Sequence, residues 1–249
     1  MALNVIVVPD YEQMSLHAAA LVAGEIKARG RIVIGLPTGN TPKGMYQELV
    51  RMHRAGELDF AGVTTFNIDE YRGLPPDHPM SFARYMRMHL LDHVNVPDSQ
   101  AHWPRSTGDA QEACRDYEER IRSAGGLDLA VLGIGGNGHI GFNEPGTPFD
   151  SETHVVELTE ETRLANCRGY GFADLEEVPK LAITMGIRTI VAARRVLLLA
   201  SGREKADAVA KTVAGPVTEA VPASILQRHP DATLIVDEEA AFALSRRQA

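Results

Sequence analysis

The sequence predicts an α/β fold built on an open, doubly wound, mostly parallel sheet. Three observations predict it. Short β-branched apolar runs alternate with helical stretches along the chain, and such alternation implies right-handed crossovers that lay helices on both faces of a sheet. Several runs, among them Val131-Leu132 and Val196-Leu197-Leu198-Leu199, are apolar without interruption, the mark of strands buried on both faces. No repeat, low-complexity tract or composition break divides the 249 residues, so a single domain spanning 1–249 is expected.

The elements follow in order. Strands are expected at Asn4–Val8, Ile32–Gly35, Thr64–Asn67, Leu129–Gly133, Val196–Ala200 and Thr233–Val236. Tyr11–Arg29 reads as a helix because Met14, Ala18, Leu21 and Val22 recur on one face. Further helices are expected from about Lys43, over Ser81–Leu91 with Ser81 as N-cap, and over Asp109–Ala124, Thr159–Arg168 and Arg203–Val213.

Composition narrows the function classes. Lys and Arg number 25 against 33 Asp and Glu, a net charge of −8, which argues against nucleic acid as a partner. No apolar run approaches the ~20 residues that span a bilayer. The N-terminus lacks the basic start and long apolar core of a signal peptide. A cytoplasmic protein with no membrane partner is expected. The two cysteines, Cys114 and Cys167, form neither a C-x-x-C pair nor a metal-ligand spacing, and are read as reduced thiols.

In a sheet of this kind ligands sit beyond the carboxyl ends of the strands, so the strand-end loops carry the chemistry. The first, Leu36-Pro37-Thr38-Gly39-Asn40-Thr41-Pro42, offers two hydroxyls, a glycine and a helix N-terminus, a combination that suits an anion. It is neither a Walker sequence nor G-x-G-x-x-G, and a plain βα turn capped by Thr41 accounts for it equally well. The second places Asp69 and Glu70 where a buried strand ends. A partly desolvated carboxylate there gains base strength; the alternative is a turn capped by Asp69 beside a solvated Glu70. The third follows the strongest strand and has glycine at 133, 135, 136, 138 and 141, with His139 among them and Glu144 five residues on. A histidine oriented by a carboxylate is an acid–base unit. A metal would need a further ligand, His154 being nearest, and the spacing fits no zinc pattern, so none is expected. There is no G-x-S-x-G elbow. Arg163, Arg168 and Lys205 are candidate anion-binding cations, each also readable as a solvated surface charge; Lys205, in a helix's first turn, opposes the dipole there.

The runs G-L-P-T-G-N-T-P, F-N-I-D-E-Y, G-I-G-G-N-G-H-I-G-F-N-E-P-G and T-R-L-A-N-C-R, in this order, closely resemble the glucosamine-6-phosphate deaminase family, from Gly35 to about Asp237. The resemblance implies a Rossmann-like sheet with a mobile helical lid over about 154–183. It implies conversion of glucosamine 6-phosphate to fructose 6-phosphate and ammonia without metal or organic cofactor, in amino-sugar catabolism and N-acetylglucosamine degradation. The activity is classed on this reading as a hydrolase as well as an isomerase/deaminase. Carried over by motif, Asp69 moves the proton from C2 to C1, His139 opens the pyranose ring, and Glu144 orients and charge-balances His139. Thr38, Gly39, Asn40 and Thr41, with Arg168 and Lys205, hold the phosphate. Some members have Asp where this chain has Asn137, so a relay here must rest on Glu144. Asn40 replaces a usually smaller residue. Members activated by N-acetylglucosamine 6-phosphate place basic residues just after the third loop, whereas Thr147 to Thr162 here holds no Lys or Arg; no such activation is expected. Family members occur as monomers and hexamers, so a homo-oligomer is among the expected assemblies. The competing readings are a galactosamine 6-phosphate deaminase/isomerase, since no side chain is assigned to reading the C4 hydroxyl; a 6-phosphogluconolactonase, which resembles this chain less because it has D-E-R where Asp69-Glu70-Tyr71 stands and lacks F-N-E-P; and a non-catalytic sugar-phosphate sensor.

Overall fold

The computed structural model describes residues 3–245, apart from the side chains of 165, 168–170 and 245. In chain order its elements are β1 (Asn4–Val8), α1 (Tyr11–Arg29), β2 (Ile32–Leu36), α2 (Lys43–Arg54), β3 (Val63–Asn67), β4 (Asp69–Tyr71), α3 (Phe82–His89), β5 (Ala101–His102), α4 (Ala110–Ser123), β6 (Leu129–Gly133), β7 (His154–Glu157), α5 (Glu160–Tyr170), β8 (Leu181–Thr184), α6 (Ile187–Val191), β9 (Arg195–Ala200), α7 (Ala206–Ala214), β10 (Ala232–Asp237) and α8 (Glu238–Ser245).

The uninterrupted apolar strands are explained by the two faces they must serve. Successive side chains on a strand point to opposite faces. Thus Leu129, Val131, Leu197, Leu199 and Ile235 join Met14, Val22, Met45 and Leu49 of α1 and α2 in one core. Their neighbours Ala130, Leu132, Val196, Leu198, Leu234 and Val236 join Tyr117 and Ile121 of α4, Val209 of α7 and Ala240 of α8 in a second core. The main sheet has seven strands in the order β1-β10-β9-β6-β2-β3-β5, its pairings among the described residues all parallel, as in the registers of β1 with β10 and β2 with β3. This is the expected doubly wound α/β sheet.

Side-chain caps set the helix starts. Asp10 accepts from the Gln13 amide at 2.8 Å, Ser81 from Arg84 at 3.0 Å and Asp109 from Glu112 at 2.7 Å. Two starts differ from expectation. Pro42, not Thr41, is the N-cap of α2, with no side-chain cap bond. Arg203–Lys205 forms a 3₁₀ turn, and α7 begins only at Ala206.

A second, three-stranded antiparallel sheet, β4-β8-β7, has no counterpart in the sequence reading. Ile68 joins the two sheets: its amide donates to the Leu36 carbonyl at 3.0 Å, and its carbonyl accepts from Met185 at 2.8 Å. The segment 154–183 is not purely helical, since β7 and β8 flank α5 and tie its ends into this small sheet.

Candidate active site

The strand order locates a crevice. From β2 the chain steps outward to β3 and β5, whereas β6 is followed by β9 and β10 on the other side. The direction reverses between β2 and β6, and in open α/β sheets ligands bind outside the carboxyl ends of the strands at such a switch point. The loops after β2 and β6 leave from either side of it, with β4 following one residue after β3.

The loop after β2 is braced through its carbonyl oxygens by tyrosines from three helices. Tyr46 of α2 donates to the Pro37 carbonyl, Tyr85 of α3 to Gly39 and Tyr11 of α1 to Asn40, at 2.5, 2.5 and 3.0 Å. The Tyr11 hydroxyl in turn accepts from the Gly44 amide at 2.8 Å. Gly39 has φ of 102°, a conformation that favours glycine. Thr38 and Thr41 are half-buried and Asn40 is exposed. The tyrosines were not singled out in the sequence; their contacts span 9, 46 and 29 residues, and no local pattern marks them.

Asp69 opens β4, opposite Thr184 of β8. It is 7% exposed. Burial first, and then the neighbouring Glu70 charge, push its carboxyl up to about 8. Glu70 is not the solvated neighbour of the simpler reading: it is 1% exposed and accepts from the amides of Tyr71, Phe82 and Ala83 at 2.9, 2.9 and 2.8 Å. It therefore satisfies the first amides of α3. Burial pushes Glu70 up to about 7 against these donors.

The glycine-rich loop after β6 is folded against its own histidine. The Gly135 amide donates to the His139 carbonyl at 2.9 Å, and Gly138 to Gly135 at 3.0 Å. A Cβ on Gly135 would fall inside the contact distance of the His139 ring, so glycine there makes room for the imidazole. Gly141 has φ of 57°, and a Cβ on it would lie 2.8 Å from the Thr184 hydroxyl and 2.9 Å from Ile68. The Phe142 amide donates to that hydroxyl at 3.1 Å, and Asn143 donates to the Met185 carbonyl at 2.8 Å. Thr184 thus joins the loop to the strand opposite Asp69.

His139 Nδ1 lies 3.5 Å from Glu144 Oε2, a charge contact longer than a good hydrogen bond. Asn137 bridges the two residues: its Nδ2 donates to Glu144 Oε2 at 2.7 Å, and its Oδ1 accepts from the His139 amide at 3.1 Å. Glu144 Oε1 accepts from the Thr162 hydroxyl of α5 at 2.7 Å. Burial opposes ionisation of Glu144, but the His139 ring, the Thr162 hydroxyl and the Asn137 amide outweigh it and hold the carboxyl down to about 2.

The cations divide. Lys205 ends the 3₁₀ turn after β9 and is half-buried. Its neighbour Glu204 turns its carbonyl toward Gly136, 3.9 Å from where a Cβ would stand, so Lys205 borders the glycine loop. Arg163, readable in the sequence as a surface charge, is buried and donates to the Leu175 and Val178 carbonyls; it staples α5 to the chain that follows. Arg168 falls on α5, its side chain outside the described residues. Among the described residues no group of three or more His, Cys, Asp or Glu could hold a metal; the His154 ring contacts the Glu152 carbonyl at 2.8 Å.

A family model described as glucosamine-6-phosphate isomerases/6-phosphogluconolactonase matches residues 10–235. The chain belongs to this family. It is 51% identical over 243 residues to a glucosamine-6-phosphate deaminase of Halothermothrix orenii, covering 97% of this chain and 100% of that one. It is 51% identical over 246 residues to one of Shouchella clausii, covering 98% and 99%. A solved structure of a monomeric glucosamine-6-phosphate deaminase superposes with a TM-score of 0.94 at 45% identity, covering 97% of this chain and 100% of that one. The 6-phosphogluconolactonase of Trypanosoma cruzi superposes at 0.76 with 23% identity, covering 98% of each chain, a likeness of fold alone. These relatives overturn one expectation from the sequence: the hydrolase class does not stand, because the relatives half identical to this chain are named deaminases, in keeping with the isomerases of the family description.

Proposed function

We propose that this chain converts D-glucosamine 6-phosphate to D-fructose 6-phosphate and ammonia by an aldose–ketose isomerisation coupled to deamination. The observation that carries the reading is half-identity over nearly the whole chain to relatives of that name. A buried base and a histidine–carboxylate pair around one crevice fit the chemistry.

The hydrogen at C2 becomes acidic only beside an open-chain aldehyde, so ring opening precedes isomerisation. His139 exchanges protons with the ring oxygen and the O1 hydroxyl, while Glu144 holds the imidazole and balances its charge as it becomes cationic. Asn137 supplies no charge; it fixes one Glu144 oxygen and the His139 backbone. Asp69 then removes the C2 proton and returns it to C1 of the enediol-type intermediate. The C2 amine becomes an imine, water adds there, and ammonia leaves. With its carboxyl at about 8, roughly a tenth of Asp69 is ionised at neutral pH; the substrate's C2 ammonium, one bond from the reacting carbon, favours the ionised form once bound. Thr38, Gly39, Asn40 and Thr41, with Lys205 and Arg168, hold the phosphate, and that grip supplies positioning.

The same reading takes 1–249 as one sugar-phosphate domain in the cytoplasm, with 154–183 as its lid. It includes no activation by N-acetylglucosamine 6-phosphate, since 147–162 holds no Lys or Arg. The test is to follow ammonia and fructose 6-phosphate together from glucosamine 6-phosphate, with chelator present. Equal release with a hyperbolic rate curve is expected. No release from folded protein overturns the reaction. A sigmoidal curve made hyperbolic by N-acetylglucosamine 6-phosphate overturns the regulatory part. Galactosamine 6-phosphate, run in parallel, decides the C4 epimer.

A further inference from the structure

Glu144 is gripped from two sides, and one grip comes from outside the catalytic loop. Oε2 accepts from Asn137 and faces His139; Oε1 accepts from Thr162 on α5. The last torsion of a glutamate is broad, without sharp staggered wells. A carboxylate held at one oxygen can therefore swing the other away from its partner. Asn137 holds Oε2 at a single point, and at 3.5 Å from Nδ1 the His139 contact is too long to fix how the carboxylate turns about that point.

The Thr162 proton is itself directed. Thr159, the N-cap of α5, accepts from the Thr162 amide at 3.1 Å and donates its own hydroxyl to Thr162 Oγ1 at 3.0 Å. With Oγ1 taken as an acceptor, the Thr162 hydrogen is left for Glu144. Thr162 is third in α5, so the carboxylate also lies against the first turn of a helix of eleven residues, where negative charge is favoured.

The contact is not needed to hold α5 in place. Arg163 already fastens the helix to the Leu175 and Val178 carbonyls, and Leu158, Phe172 and Val178 on either side of it pack with Tyr71, Phe82 and Phe142. A buried hydroxyl aimed at the carboxylate that faces His139 does something that packing does not.

We propose that Thr162 is a positioning residue for ring opening: by anchoring Oε1 it fixes the plane of the Glu144 carboxylate, so that seating α5 and aiming Oε2 at His139 are one event. The inference rests on the proposed function and adds a step to it. Substrate affinity is set by the phosphate-holding groups, so Thr162 acts on turnover.

The test uses the full chain and glucosamine 6-phosphate with Thr162→Val, which keeps the shape and removes the donor, and Thr162→Ser, which restores it. Hydrogen bonds to charged groups set the scale: Thr162→Val is expected to lower kcat roughly ten- to a hundredfold, with KM little changed and Tm lowered by only a few degrees. Thr162→Ser is expected to recover most of that loss. Wild-type kcat in Thr162→Val overturns the positioning role alone, and so does an equal loss in the Val and Ser variants, which would trace the effect to packing. Absence of turnover in the wild type overturns the reaction, and the positioning role with it.

Discussion

Replacing Asp69 by Asn is expected to exchange turnover for stability, with a distinctive pH dependence. The Asp69 carboxyl is buried and is raised from an ordinary 3.8 to about 8 by that burial and by Glu70. Between those values the unfolded chain has released the proton while the folded chain retains it. Unfolding is therefore favoured as pH rises, by about 1.4 kcal/mol per pH unit. The cost starts near pH 4, reaches roughly 4 kcal/mol at pH 7 and levels off above pH 8. Asn cannot ionise, so Asp69→Asn escapes this term. A buried amide carries a desolvation penalty of its own, but that penalty does not vary with pH, so the change in the gap is the quantity to measure. Urea unfolding of both proteins at pH 5, 7 and 9 reads it. The variant's advantage is expected to grow by roughly 3 kcal/mol from pH 5 to 7, to grow less from 7 to 9, and to accompany loss of turnover with sugar-phosphate binding retained. Parallel stability curves would refute the account of Asp69 as a carboxyl kept neutral by its surroundings.

Other substitutions probe the acid–base loop. Gly135→Ala places a Cβ against the His139 ring; turnover is expected to fall at least a hundredfold while far-UV circular dichroism stays native. Glu144→Gln removes a carboxylate held down from 4.5 to about 2. Because its folded value is depressed, its contribution to stability is present above about pH 4.5 and lost as pH falls through about 2; the wild type's advantage in Tm over Glu144→Gln is expected at pH 6 and to vanish toward pH 2. The same variant is expected to lose turnover near pH 7, read as ammonia release, because the amide cannot balance an imidazolium.

What was legible in the sequence follows the range of the contacts. The main sheet could be read because burial on both faces removes every polar residue from β6, and from β9 after Arg195, which leaves unbroken apolar runs. The His139–Glu144 pair could be read because its members are five residues apart in a glycine-dense loop. The small sheet could not: β4 is the three residues Asp69–Tyr71, two of them acidic. Glu70 reads as solvated because its acceptor role is fulfilled by the Phe82 and Ala83 amides, 12 and 13 residues away. Arg163 reads as a surface charge because its carbonyl partners lie 12 and 15 residues on. Thr162 carries no local signal, since its partner precedes it by 18 residues.

The tyrosine brace around the loop after β2 separates two jobs that usually compete within a binding loop. Tyr11, Tyr46 and Tyr85 take hold of carbonyl oxygens, and a carbonyl is the same whatever side chain its residue bears. The placement of the loop is thus blind to the identities at 38, 40 and 41, while Gly39 is held to glycine by its φ of 102°, so those three positions can be rewritten without dismantling the support beneath them. Asn40, exposed and held through its carbonyl alone by Tyr11, is a position of this permissive kind. For anyone redesigning this scaffold, the three tyrosines and Gly39 mark what to keep, and residues 38, 40 and 41 what to vary.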